Sequence, residues 1–239
     1  MSVRRSLPQR ALPLVGAWCF FDRFGPQETR MRVEPHPHIG LQTVTWPLIG
    51  EIRHRDTVGS DVVLRTGQLN LMTSGAGIAH SEYSVGEEAV PLDALQLWVA
   101  LPESRRHGAP AFERHEELPV VALDGGGEAT VVLGELAGVA SPASVYTPIV
   151  GADIRLPAGA SVRVPLNPEW EHAVAAVSGD LRVHAEGATG DATDVATEDL
   201  LYLGTDRDVI TLSSEEGARA FLLGGEPFEA DVVMWWNFV

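Results

Sequence analysis

The sequence predicts an all-β fold of antiparallel strands, arranged as a sandwich or a barrel. Three observations carry that expectation. Short segments rich in Val, Leu, Ile and Thr recur about every ten residues, separated by Gly, Pro and Asp. Few windows hold a 3.6-residue apolar period for about ten residues or more, so long helices are not expected. The 24 glycines and 16 prolines supply the turns that such a fold needs.

In chain order the strand-like segments are 41–48, 51–56, 62–65, 68–72, 94–101, 129–133, 154–156, 161–165, 173–177, 181–185 and 218–223. The first pair flanks Gly50, the second Gly67, and the pair 173–177 and 181–185 flanks Gly179, each glycine marking a turn. Part of this pattern repeats. The run from Leu48 to Arg53 resembles that from Val177 to Arg182, taking Gly50 to Gly179, an offset of 129. The run from Gly67 to Leu71 resembles that from Glu198 to Tyr202, an offset of 131. A duplicated β domain follows, with lobes of roughly 100 residues each. The boundary is expected near Ser104 to Ala111 and the turn Gly125-Gly126-Gly127, giving domains 1–110 and 111–239.

Composition excludes several classes of function. With 33 acidic residues against 17 basic ones, the net charge of −16 argues against direct nucleic-acid binding and against docking on anionic lipid. All the basic residues are Arg, which removes Schiff-base, P-loop and Ser–Lys chemistry. The single cysteine, Cys19, forms no intrachain disulfide and sits in an apolar run, which fits a reducing, cytoplasmic setting. No run reaches about 18 apolar residues, so no membrane-spanning helix is expected.

Eight histidines are present, and two sets are patterned. His36 and His38 stand at i and i+2 and leave one face of a strand; His80 and Glu82 repeat that spacing 42 residues after His38. Two such pairs on neighbouring strands meet at one interior point, where three neutral imidazoles and a carboxylate form a first shell for a divalent transition metal with open positions. The residues leave two chemistries open: iron for dioxygen activation, or zinc for hydrolysis. His54, His115, His172 and His184 read as structural.

The run from His36 to Thr45, followed by that from Met72 to Glu82, resembles the two signature blocks of the pirin family. Phe20 to Pro26, Leu95 to Val99 and, more weakly, Leu222 to Pro227 extend the likeness. The resemblance implies a bicupin, two stacked antiparallel cupin (jelly-roll) β-barrels, with one mononuclear metal in the N-terminal lobe only. Its ligands fall on His36, His38, His80 and Glu82. Iron(II) is the metal usually associated with the family, with Ni, Co, Mn, Cu or Zn as alternatives. Some members resemble quercetin 2,3-dioxygenases, which open a flavonol ring with dioxygen and release carbon monoxide; eukaryotic members are described as iron-dependent co-regulators. The sequence departs from the family at Gln42, where many relatives have Glu; parity along the strand assigns Gln42 to the ring of residues behind the ligands. Relatives also tend to continue beyond the apolar terminus Met234 to Val239, so the chain is expected to be part of a longer product.

The two offsets map His36, His38, His80 and Glu82 to Pro165, Asn167, Thr211 and Ser213, so the C-terminal lobe is expected to bind no metal. In the dioxygenase reading, Glu82 is both a ligand and the base for the flavonol hydroxyl. Phe20, Phe24, Trp46, Met72 and Ile78 are candidates to line a slot for a small aromatic substrate, and Arg23 either guides a phenolate or simply pairs with an acid. The rival reading is a non-catalytic, iron-binding redox sensor acting through a protein partner with a basic face. No dimerisation element is visible, and a monomer is expected.

Overall fold

The computed structural model describes residues 1–185, 192–228 and 232–239. It divides into two compact units: Met1–Leu14, Trp18–Glu117 and the tail Glu229–Val239 form the first, and Val15–Ala17 with Leu118–Phe228 the second. Among the described residues there is no α-helix, and no helix is long and apolar enough to cross a membrane.

The first unit holds β1 (Val3–Leu7), β2 (Trp18–Thr29), β3 (Arg32–His38), β4 (Leu41–Ile49), β5 (Glu51–Asp56), β6 (Asp61–Arg65), β7 (Leu69–Thr73), β8 (Ile78–Ser84), β9 (Val90–Ala100) and β10 (Ala111–His115). They form a six-stranded sheet, β1-β2-β9-β4-β7-β10, and a four-stranded sheet, β3-β8-β5-β6. Because β10 pairs with β7 along its whole length, the first unit runs past residue 110, the boundary expected from sequence, to Glu117. The apolar segment 41–48 is buried at every position, as a strand covered on both faces must be.

The second unit holds β11 (Val120–Leu123), β12 (Gly127–Leu136), β13 (Val139–Ala140), β14 (Ile149–Leu156), β15 (Ser161–Pro165), β16 (Glu171–Ser178), β17 (Leu181–Ala185), β18 (Thr193–Val195), β19 (Leu200–Gly204), β20 (Val209–Ser213) and β21 (Ala218–Gly225). Its sheets are β11-β12-β14-β21-β16-β19, with β13 paired to β12, and β15-β20-β17-β18; within them β12-β14-β21-β16-β19 and β15-β20-β17-β18 repeat β1-β2-β9-β4-β7 and β3-β8-β5-β6 of the first unit. Each unit is therefore a two-sheet cupin jelly roll, as expected, and its sheets are open at their edges. The turn shared by the repeat is real: Gly50 and Gly179 both have positive φ (93° and 75°). A Cβ there would lie 2.5 Å from Pro91 O and 2.2 Å from Gly217 O respectively, so only glycine fits.

The register corrects the equivalence drawn from sequence offsets. His36 lies opposite His80, and their counterparts in the second unit are Val164 and Ile210, which lie opposite each other in the same way. His54 opposite Glu82 becomes Val183 opposite Leu212. Pro165, Thr211 and Ser213 are each one residue out of step, which puts them on the other face of their strands. Where the first unit carries imidazoles and a carboxylate, the second is filled by aliphatic side chains in a continuous core with Val131, Ile154 and Leu222.

Candidate metal centre

Prolines explain the placement of the first two histidines. Pro35 and Pro37 donate no backbone hydrogen bond, so the segment fits only a sheet edge, and β3 is the edge strand of its sheet. Between them His36 pairs with His80 of β8, and His38 pairs with Ile78. The rings converge: centroids lie 4.9 Å apart for His36 and His38, 4.5 Å for His36 and His80, and 5.0 Å for His38 and His80. His38, His80 and Glu82 are buried and His36 is half-buried. The ligating atoms of His36, His38 and His80 lie within 4.8 Å of one another, and so do those of His54, His80 and Glu82.

Backbone carbonyls set two of the tautomers. His36 Nδ1 lies 2.9 Å from Glu34 O, and His38 Nδ1 lies 3.2 Å from Asn237 O in the C-terminal tail. A carbonyl only accepts, so each Nδ1 carries the proton and each Nε2 presents a lone pair. His38 Nε2 faces His80 Nε2 at 3.1 Å. Behind His80, its Nδ1 is 3.4 Å from His54 Nδ1, and His54 Nε2 is 3.0 Å from Asp56 Oδ2. Thr45 of β4 donates to Glu82 Oε1 at 2.9 Å.

The six-stranded sheet closes the other side. Phe20 and Trp98 stack with centroids 3.9 Å apart, and Trp98 meets His38 edge-on at 5.0 Å. Thr43 and Met72 follow across the same row, and Phe112, opposite Met72, stacks on His54 at 4.6 Å. One step along, Asp22, Gln96, Thr45 and Asn70 form a polar row. Neither Asn70 Oδ1 nor Asn70 Nδ2 has a hydrogen-bond partner, although the residue is buried.

Burial dominates the electrostatics. It lowers His38 to about 3, helped by the neighbouring charge of His36 and opposed by the hydrogen bond to Asn237. Burial likewise lowers His80 far below the usual histidine range, with His38, His36 and His54 adding to the effect. Glu82 is raised by burial, offset in part by His54, Thr45 and His36. Asp56 resists the opposing effect of burial through hydrogen bonds from Ser60 and His54, and stays below the usual carboxylate range. Two buried imidazoles kept neutral, a third turned by the Glu34 carbonyl to present Nε2, and a buried carboxyl are a donor set that a divalent transition metal fits, since its charge would reverse the cost of ionising Glu82.

The other sequence candidates divide. Phe20, Met72 and Ile78 lie on the faces that meet around the histidines. Trp46 does not: Thr45 points at Glu82, so its neighbour Trp46 leaves the opposite face of β4, fully buried. Gln42 is also on that opposite face, three positions from Thr45, and its amide donates to Thr73 Oγ1 at 3.0 Å, so it does not back the ligands. The parity argument from His38 fails because the chain turns at Gly40 between β3 and β4. Phe24 packs with Met31, Ile52, Leu92 and Ala94 in a separate apolar cluster. Arg23 donates through Nε and Nη2 to the two carboxylate oxygens of Asp93, at 2.8 and 2.7 Å. Sequence reasoning passed over His54 as structural, although His54 and Asp56 carry the same i, i+2 signal as His80 and Glu82. Trp98, Phe112 and the tail carbonyl of Asn237 carried no local signal.

Comparison with known proteins places the chain. The family model described as Pirin matches residues 1–99, and the one described as Pirin C-terminal cupin domain matches residues 151–239. A Pseudomonas aeruginosa protein named "Putative quercetin 2,3-dioxygenase" is 43% identical, over 100% of this chain and 74% of its own length. A pirin-like protein of Caulobacter vibrioides is 35% identical over 99% of this chain and 82% of its own. The crystal structure of a quercetin 2,3-dioxygenase from Acinetobacter baumannii has a TM-score of 0.91 and 40% identity, covering 99% of this chain and 77% of that one.

Proposed function

The chain belongs to the pirin family, and on that premise we propose that it is a metal-dependent dioxygenase of the quercetin 2,3-dioxygenase type, acting on flavonols or similar phenolics. The observation that carries the reading is the convergence of the His36, His38 and His80 ring nitrogens, with the buried carboxyl of Glu82 within reach of His80. Iron(II) is the metal of the proposal; bound there, it supplies Lewis acidity to the flavonol oxygen and an electron path to dioxygen. His36, His38, His80 and Glu82 would hold it.

The remaining roles belong to the chain itself. Glu82 is the one carboxyl of the set, and it would accept the proton of the flavonol 3-hydroxyl through the oxygen that the metal does not hold. Thr45 holds Oε1, which leaves Oε2 as the receiving atom. The Phe20–Trp98 stack, Met72 and Ile78 are buried apolar side chains that exclude water around the histidines, and the substrate rings would lie against them. Both atoms of dioxygen would enter the ester product, one at C2 and one at C4, while the C2–C3 and C3–C4 bonds break and C3 leaves as carbon monoxide with the oxygen of its former hydroxyl. A cytoplasmic monomer with these small-molecule partners completes the reading, supported by a buried, lone Cys19.

The test is to mix anaerobically iron-reconstituted protein with quercetin, admit air, and follow flavonol absorbance and carbon monoxide together. Loss of flavonol in the wild type and none in His80→Ala is expected. Unchanged flavonol with one metal bound per chain would overturn the dioxygenase assignment in favour of a non-catalytic, iron-binding redox sensor that acts through protein partners.

A further inference from the structure

We propose that His54 and Asp56 form a positioning pair for His80: Asp56 fixes the tautomer of His54, and His54 fixes that of His80, so that His80 turns its Nε2 lone pair toward His36 and His38. The inference rests on the metal-centre reading and adds two residues to it that touch no metal.

Donors and acceptors fix each tautomer in turn. Ionised Asp56 can only accept, so the proton between Asp56 Oδ2 and His54 Nε2, 3.0 Å apart, belongs to His54 Nε2. The proposal gives His54 a single N–H, on Nε2, and so a lone pair on Nδ1. That lone pair faces His80 Nδ1 at 3.4 Å, a long contact in which two N–H groups cannot point at each other and two lone pairs repel. His80 Nδ1 therefore carries the ring proton, and its Nε2 is bare. The Glu34 and Asn237 carbonyls give His36 and His38 the same tautomer. All three rings thus offer Nε2, and the lone pairs that His38 and His80 turn on each other at 3.1 Å are the repulsion that a cation held by both nitrogens would relieve.

The surroundings lock the pair in place. Register sets Asp56 opposite His80 and His54 opposite Glu82. Phe112 stacks on the His54 ring at an interplanar angle of 22° and stops it from turning. Asp56 Oδ1 accepts from Val58 N–H at 3.0 Å and Ser60 N–H at 2.9 Å, so the carboxylate cannot rotate away. This also makes Asp56→Asn informative. An asparagine has one oxygen, so it leaves either the two backbone N–H groups or His54 Nε2 facing another donor.

Zinc is a diamagnetic probe for the site. Protein labelled with 15N in its histidines is titrated with zinc, and its affinity is measured by competition with a chelator. In the wild type, His80 should show a protonated Nδ1 and a metal-bound Nε2. Asp56→Asn and His54→Phe should each weaken zinc by about 10- to 100-fold. His54→Gln, whose amide oxygen can still accept, should recover much of the loss. Unchanged affinity in Asp56→Asn and His54→Phe overturns the proposal, and so does zinc bound through His80 Nδ1, between His54 and Glu82. The wild-type spectrum decides even where a variant fails to fold. Failure of the wild type to bind zinc or iron at all is a separate result, which overturns the metal centre itself.

Discussion

Replacing Thr45 by Val tests whether Glu82 works as an anion at the metal. Thr45 has one hydroxyl proton, and two oxygens lie within reach: Glu82 Oε1 at 2.9 Å and Gln96 Oε1 at 3.1 Å. An ionised carboxylate is the stronger acceptor, so the proton goes to Glu82 whenever Glu82 is charged. A hydrogen bond to a charged group contributes about 1.5–3 kcal/mol. Valine keeps the volume and the strand preference of threonine, so β4 and its neighbours stay packed, and the loss falls on the ionised form of Glu82. At about 1.4 kcal/mol per tenfold, metal affinity should drop by roughly ten- to a hundredfold. Thr45→Ser should restore it. The assay is iron(II) or zinc affinity by chelator competition at a pH where free carboxylates are ionised. Equal affinities in wild type and Thr45→Val would refute the reasoning, because they would mean that Glu82 does not ligate as a carboxylate.

Further outcomes follow from the two units taken separately. The buried Arg23–Asp93 pair should punish half-removal: Asp93→Ala should cost about 3–5 kcal/mol in urea unfolding, and Arg23→Met with Asp93→Leu should recover most of it. In the second unit, burial lowers His172 to about 4, opposed by a hydrogen bond to the Trp170 backbone. Because this folded value lies below the ordinary 6.5, the neutral ring contributes stability that is fully present above pH 6.5 and lost as pH falls toward 4, about 3 kcal/mol at most. Urea midpoints measured across that window should fall less for His172→Leu than for the wild type. Burial pushes the Cys19 thiol up to about 12, so at about pH 8 iodoacetamide should leave it untouched in the folded protein and alkylate it in guanidinium chloride.

Much of this molecule was legible in its sequence, because the signals were local. The all-β class followed from short β-branched segments cut by glycine, and all eleven of those segments lie on strands except for single residues at two ends, Gln68 and Leu101. The strands it omitted, such as β2 and β3, carry Gly25, Pro26, Pro35 and Pro37, which mask a strand in any propensity reading. The i, i+2 spacing placed each pair, His36 with His38 and His80 with Glu82, because side-chain alternation needs no tertiary information. What was lost had to pass through a turn or an irregularity. The parity of β4 cannot be carried across Gly40, so Gln42 and Trp46 were given the wrong face. The offsets of 129 and 131 were each one too large where they were applied, and that slip replaced Val164, Ile210 and Leu212 by Pro165, Thr211 and Ser213. Asn237, which reaches His38 from 199 residues away, could be found only in three dimensions.

The central claim is that one metal sits among His36, His38, His80 and Glu82, and anomalous diffraction from iron-loaded crystals tests it most directly. The account predicts one anomalous peak in the first unit, about 2 Å from the Nε2 atoms of His36, His38 and His80 and from one oxygen of Glu82. A peak bound instead by His54 and His80 Nδ1, or no peak in a crystal grown from protein saturated with iron, would contradict it.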